Sequence, residues 1–147
     1  MAMRKVQLCF LLTILFSCNY IETGSTLSKS DIKYIQSLKL LDNDEKIYKF
    51  YAEFKKKVAG NFFTDKRIAK YWIDERDKNK NQFAFAFYKD IKSIDTVYNA
   101  GLTYCPYMLI TKFDCTTFKV SVNGNRDEIK SFFEDALNTW HQNPKGQ

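Results

Sequence analysis

The stretch NRDEIKSFFEDALNTW, from Asn125 to Trp140, is the strongest constraint in this sequence. Ile129, Phe132, Phe133, Ala136, Leu137 and Trp140 recur at i, i+3, i+4, i+7, i+8 and i+11. That spacing places one apolar stripe on a helix and leaves its other faces polar. Asn125 stands at the N-cap position with Glu128 three residues later, a variant of the capping box, and Asp127 and Glu128 suit the positive end of the helix dipole. A helix with a single apolar face must bury it against another layer. What precedes it must therefore supply a core surface, and most of what precedes it reads as strand.

A short leading helix is expected in SDIKYIQSLKLL, with Ser30 as N-cap and Ile32, Ile35 and Leu38 near helical spacing. The β signals begin after DNDE. KIYKFYAEF alternates, which places Tyr48, Phe50, Ala52 and Phe54 on one face and Lys49 and Glu53 on the other. KKKVAG reads as a basic loop. Thr64-Asp65-Lys66-Arg67 reads as a tight turn between the apolar runs NFF and IAKYW. In QFAFAFY, Phe83, Phe85 and Phe87 share one face and Ala84 and Ala86 the other, so the strand is expected to be covered on one side and close-packed on the other. DIKSIDTVYN is a further strand, and YMLITKF and FKVSVNG form a hairpin about the turn DCTT. The fold class expected is α+β and mainly β. It is a strongly bent antiparallel sheet, or half-open barrel, of about seven strands capped by a C-terminal helix, with a short leading helix.

In LLDNDEKIYKF, GNFFTDKRIAKYW, YKDIKSID and LITKFDCTTFKVSVNGNRDEIKSFFEDAL the chain resembles the bacterial pleckstrin-homology-like domains, related to the GRAM type. The resemblance spans Leu40 to Trp140, and the Thr-Asp-Lys-Arg turn is its most specific piece. It implies a binding or scaffold fold rather than a chemistry. In eukaryotic relatives, basic residues around the first hairpin loop bind phosphoinositide headgroups. The matching positions here are Lys55, Lys56 and Lys57, with Lys66 and Arg67 near the next turn.

The N-terminus carries a separate signal. Arg4 and Lys5 precede the mostly apolar run Val6–Phe16. As a helix this run would be about 16 Å long, too short to span a bilayer but suited to the core of an export signal. It ends Leu15-Phe16-Ser17-Cys18, which resembles the lipobox of bacterial lipoproteins. That resemblance implies diacylglycerol on Cys18, cleavage before it, and a bacterial cell envelope location facing the periplasm or cell surface. The divisions expected are a signal peptide over 1–17, a lipidated tether over 18–30, the pleckstrin-homology-like domain over 31–143 and a tail over 144–147. Removing Arg4 and Lys5 takes the formal charge from +6 to +4, which is mild and identifies no partner.

Cys105 and Cys115 flank one strand. Ten extended residues span about 33 Å, far beyond the roughly 6 Å between Cα atoms of a disulfide, so two separate thiols are expected, one buried and one in a turn. His141 is the one histidine and is expected beyond the final helix, in an exposed, frayed tail HQNPKGQ, which argues against a Ser-His-Asp or Cys-His arrangement. Asp65, Asp74, Glu75 and Asp77 sit in charged turns. A carboxylate pair among them would suit a hydrolase, and surface salt bridging is the simpler role. No cofactor, metal, nucleic acid or small-molecule substrate is expected. The partners expected are the membrane, through Cys18, and another envelope protein. That protein would bind at an open strand edge or at the apolar rim around Tyr104 and Tyr107. The alternatives are an anionic-lipid-recognition module using Lys55–Lys57, which the anchor makes partly redundant, and a periplasmic inhibitor or immunity-like lipoprotein.

Cys18→Ala is expected to leave an unprocessed precursor without acyl chains, seen as a larger species by gel and mass spectrometry. Normal cleavage and lipid labelling in that variant would refute the lipobox reading.

Overall fold

The computed structural model describes residues 21–101 and 104–143. The expected signal peptide, Cys18 and tail lie outside the described residues. In chain order the elements are β1 (Glu22–Thr23), α1 (Lys29–Ser37), β2 (Ile47–Tyr51), β3 (Ala59–Thr64), β4 (Arg67–Trp72), β5 (Gln82–Phe87), β6 (Ile91–Val97), β7 (Tyr107–Lys112), β8 (Thr117–Ser121) and α2 (Arg126–Gln142). They form two antiparallel sheets, a five-stranded one in the order β1-β2-β3-β4-β5 and a three-stranded one, β6-β7-β8. The expected class is observed: mainly β, not closed into a barrel, with one short and one long helix.

The long helix sits where its stripe requires. Ile129, Phe132, Phe133, Ala136 and Trp140 are buried in one cluster with Tyr51, Phe63, Ile68 and Ala86 of the first sheet and Ile91, Met108, Ile110 and Val120 of the second. The ring of Phe132 meets that of Phe63 edge-on at 5.2 Å, and Phe133 meets Tyr98, just past β6, at 5.3 Å. α2 therefore fills the gap between β2–β3 and the end of β6. The capping box forms as expected: Asn125 Oδ1 accepts the Glu128 N–H at 2.9 Å and the Glu128 carboxylate accepts the Asn125 N–H at 3.0 Å.

A second cluster lies on the other face of the five-stranded sheet. Phe50, Phe62, Ala69 and Tyr71 are covered there by Leu27, Ile35, Leu40 and Leu41. Covered on both sides, β3 is buried at every position. A Cβ at Gly60 would fall 2.4 Å from the Tyr71 ring, so only glycine admits that ring.

Three local expectations change. The alternation in β2 is broken by a register shift between Ile47 and Lys49. Ile47, Phe50 and Tyr51 are buried instead, while Tyr48 is 39% and Phe54, past the strand end, 64% exposed. Residues 21–30, expected as tether, are folded. β1 pairs with β2, Leu27 is buried, and the helix is capped by Ser28 rather than Ser30, with Asp31 completing a capping box. The short strand has too little length to show a period in sequence, and two serines compete for the cap. β5 also turns its phenylalanine face outward, as described below.

Phe133→Ala is expected to cost about 3–5 kcal/mol, the usual range for a fully buried phenylalanine, against a total of about 5–15 kcal/mol. Urea unfolding followed by tryptophan fluorescence measures it. A loss under about 1 kcal/mol would mean that α2 does not hold the two sheets together.

Candidate functional site

The Thr64–Arg67 turn is built as a clamp. Thr64 Oγ1 accepts the N–H groups of Lys66 at 3.0 Å and Arg67 at 2.9 Å, which closes the turn. Arg67 is only 2% exposed. Its Nε and Nη2 donate to the two carboxylate oxygens of Glu45 at 2.9 and 2.7 Å, and Nη2 also lies 2.7 Å from Asp42. The guanidinium stacks over the rings of Phe87 at 4.5 Å and Phe85 at 5.3 Å. Lys66 is paired with Asp44 at 2.8 Å, and that hydrogen bond holds the Asp44 carboxyl below its ordinary value and the Lys66 amine above its own. The turn therefore holds the Asp42–Glu45 loop. Arg67 is not presented to solvent.

The basic loop divides similarly. Lys56 Nζ lies 2.6 Å from Glu22 and 3.4 Å from Asp31. Burial alone would raise the Asp31 carboxyl, but the Ser28 hydrogen bonds and the Lys56 charge outweigh it and hold it low. The backbone of the loop is pinned as well: Tyr71 donates its hydroxyl to the Lys56 carbonyl, and Tyr34 donates to that of Lys57 at 2.7 Å. Lys55 and Lys57 remain exposed, with the Lys55 ammonium 5.4 Å from the Phe54 ring.

At the same end, Tyr104 is 74% exposed. Tyr107 opens β7 half-buried, with the Lys119 ammonium 4.3 Å from its ring. Burial, then the charges of Cys105 and Glu53, push the Tyr51 hydroxyl up to about 12. Burial depresses the neighbouring Lys70 ammonium, partly offset by Glu53. Cys105 and Cys115 are free thiols at opposite ends of β7, the first half-buried and the second in the β7–β8 turn at φ 66°. Among the turn carboxylates, Asp65 accepts the Lys46 N–H, Asp74 the N–H groups of Arg76 and Asp77, and Asp77 that of Asn79. His141 is exposed as expected but lies in the last turn of α2 rather than beyond it, where its ring stacks on Trp140 at 4.9 Å.

The open edge of β5 was not legible in the sequence. β5 is the last strand of its sheet, so one of its edges is unpaired. Ala86 faces the core, while Phe83 is 47% and Phe85 39% exposed. α1 and its neighbours cover β2, β3 and β4 but do not reach β5. A groove of about 360 Å3 runs beside that edge, with Phe83, Phe85 and Ala86 on one wall and Lys112, Thr117 and Phe118 on the other. No residue from Gln82 to Phe87 carries a charge. Natural edges usually carry charges, proline or bulges that discourage pairing. The absence of charges from Gln82–Phe87 was the one sequence signal available, but it marks an edge only once the strand order is known.

Arg67→Ala is expected to destabilise the domain by about 3–5 kcal/mol, because it leaves Glu45 buried without its partner. Lys66→Ala, at a surface pair, should cost no more than about 1 kcal/mol. Chemical denaturation of the two variants distinguishes a structural clamp from two equivalent surface cations.

Among the described residues no helix is long and apolar enough to cross a membrane. No protein-family model matches the chain, and no curated protein matches it. Among solved structures, the chain is similar to a DUF1696 family protein with a pleckstrin-homology domain from Shewanella loihica PV-4. The identity is 12% and the TM-score 0.48, over 77% of this chain and 95% of that one.

Proposed function

We propose that this protein is a membrane-tethered lipoprotein whose pleckstrin-homology-like domain is a non-enzymatic docking module for another envelope protein. The partner adds an extended segment to the edge of β5. One observation carries this reading: an uncharged terminal strand presents Phe83 and Phe85 to solvent beside a groove of about 360 Å3. Main-chain pairing along such an edge supplies affinity, and pockets for alternate side chains supply specificity. Each net hydrogen bond contributes about 0.5–1.5 kcal/mol, and covering a phenylalanine fully about 1.5–3 kcal/mol. If the partner is blocked by this pairing, the protein acts as an inhibitor or immunity-like lipoprotein through the same surface.

A photocrosslinking residue at Gln82 in cells should give a discrete adduct, and one at Lys119, on the outer face of the second sheet, should not. The protein identified from that adduct should bind the purified domain. Phe83→Lys with Phe85→Lys should weaken binding at least about tenfold, or 1.4 kcal/mol, without unfolding the domain. No adduct at Gln82, or binding unchanged in the double variant, would overturn the reading.

A further inference from the structure

Two hydrogen bonds at the ends of β4 decide which main-chain groups the open edge of β5 offers. The Ile73 N–H donates to the Val58 carbonyl at 2.7 Å, and the Tyr88 N–H to the Lys66 carbonyl at 3.2 Å. In an antiparallel ladder, hydrogen-bonded and non-hydrogen-bonded pairs alternate. Arg67, Ala69 and Tyr71 therefore bond β3, while Ile68, Lys70 and Trp72 bond β5. Their partners on β5 are Ala86, Ala84 and Gln82. Phe83, Phe85 and Phe87 are left with their N–H and C=O groups directed at the open edge.

The side chains of the same strand set what can lie beside it. The rings of Phe85 and Phe87 pack edge-on at 5.6 Å against the Arg67 guanidinium, which holds them on the outer face. Ala84 and Ala86 point the other way, into the groove whose far wall is Thr117 and Phe118. Two alanines leave room there that β5 does not itself fill. The charges in this groove are Asp90 and Lys112, and the Lys112 ammonium already lies 3.4 Å from Asp114. An unpaired charge buried between Ala84 and Phe118 would be costly, so the space suits apolar side chains.

We propose that the strand docked on β5 runs antiparallel to it in one register, set by Phe83, Phe85 and Phe87. The docked residues opposite these three exchange both main-chain bonds with them. The two opposite Ala84 and Ala86 send their side chains into the groove. The partner is a protein with an extended, uncharged segment that alternates to match. Branched aliphatic side chains fill the inward positions against Phe118, and β-branched or aromatic ones lie outward beside the phenylalanine rings. Proline is excluded at the outward positions, because it lacks the N–H that the edge carbonyls require. The antiparallel direction continues the pairing of the rest of this sheet. It also makes the alanine pairs the non-hydrogen-bonded ones, where side chains approach most closely. The proposal rests on the reading of the β5 edge as the docking surface.

The probe is the peptide acetyl-Lys-Thr-Val-Thr-Val-Thr-Lys-amide, added to the full chain in detergent micelles, with amide exchange read residue by residue by NMR. In the free protein the amides of Phe83, Phe85 and Phe87 should exchange at least about tenfold faster than those of Ala84 and Ala86. The peptide should slow those three and leave the alanines unchanged. Methylating the amide nitrogen of its central threonine should weaken binding at least about tenfold, and methylating either valine less than about threefold. Sensitivity at the valines instead is the signature of a parallel strand and would overturn the register while leaving the docking edge standing. Protection of the three phenylalanines on concentrating the protein alone would put a second copy on the edge and overturn the assignment of the partner. A peptide that does not bind, while the cellular adduct at Gln82 forms, would overturn the chemistry assigned to the docked strand. Absence of both would overturn the docking reading as well.

Discussion

The buried guanidinium of Arg67 ties the Asp42–Glu45 loop to the paired strands β4 and β5. It bonds both oxygens of Glu45, reaches Asp42 and lies over Phe85 and Phe87. Thr64 adds its hydroxyl to Glu45, and Tyr88 donates its hydroxyl to the Thr64 carbonyl. Charge, hydrogen bonding and stacking thus meet at one end of the five-stranded sheet. Buried charges are tolerated only when their partners satisfy them, so the loop from Asp42 to Glu45 has little choice of position. That loop leads directly from the leading helix into β2. Its placement lets Leu40 and Leu41 enter the outer cluster, after Lys39 takes a left-handed turn at φ 60°.

The sheet consequently has two covered faces over β2, β3 and β4, and the coverage ends before β5. The inner face is closed by the second sheet and α2, the outer one by α1 and the segments flanking it. Arg67 serves both arrangements. It anchors the loop on one side, and its flat guanidinium supports the rings of Phe85 and Phe87 where no helix does. The exposed phenylalanine face is therefore backed by a rigid, satisfied network. An edge of this kind can accept another strand without rearranging, which keeps the ordering cost of association low.

The lysines are divided by burial rather than by sequence position. Lys49 reaches Asp135 and Ser131 of α2, Lys56 holds β1, and Lys66 holds Asp44. Their neighbours Lys55 and Lys57 stay in solvent. The five-stranded sheet thus has one edge occupied by the N-terminal strap and the other left open. The two edges are separated by four strand spacings, about 19 Å.

The sequence by itself determined the elements whose signal is local. The stripe from Ile129 to Trp140 repeats on a helical period over three turns, and Asn125 and Glu128 cap it without outside help. The hairpin about Asp114 and the turn Thr64–Arg67 follow from short-range turn chemistry. The class of fold follows from these, since one apolar helix face after a series of strands has few ways to be buried. Tertiary structure alone decided which strand became an edge, which face of β5 met solvent and which cations were consumed. Alternation identifies two faces of QFAFAF but not which one a neighbour covers, and that depended on how far α1 extends across the sheet. Lys56 and Arg67 are indistinguishable in sequence from Lys55 and Lys66. They differ because Glu22, Asp31, Asp42 and Glu45 reach them from segments 22 or more residues away along the chain, and electrostatic pairing depends on distance in space.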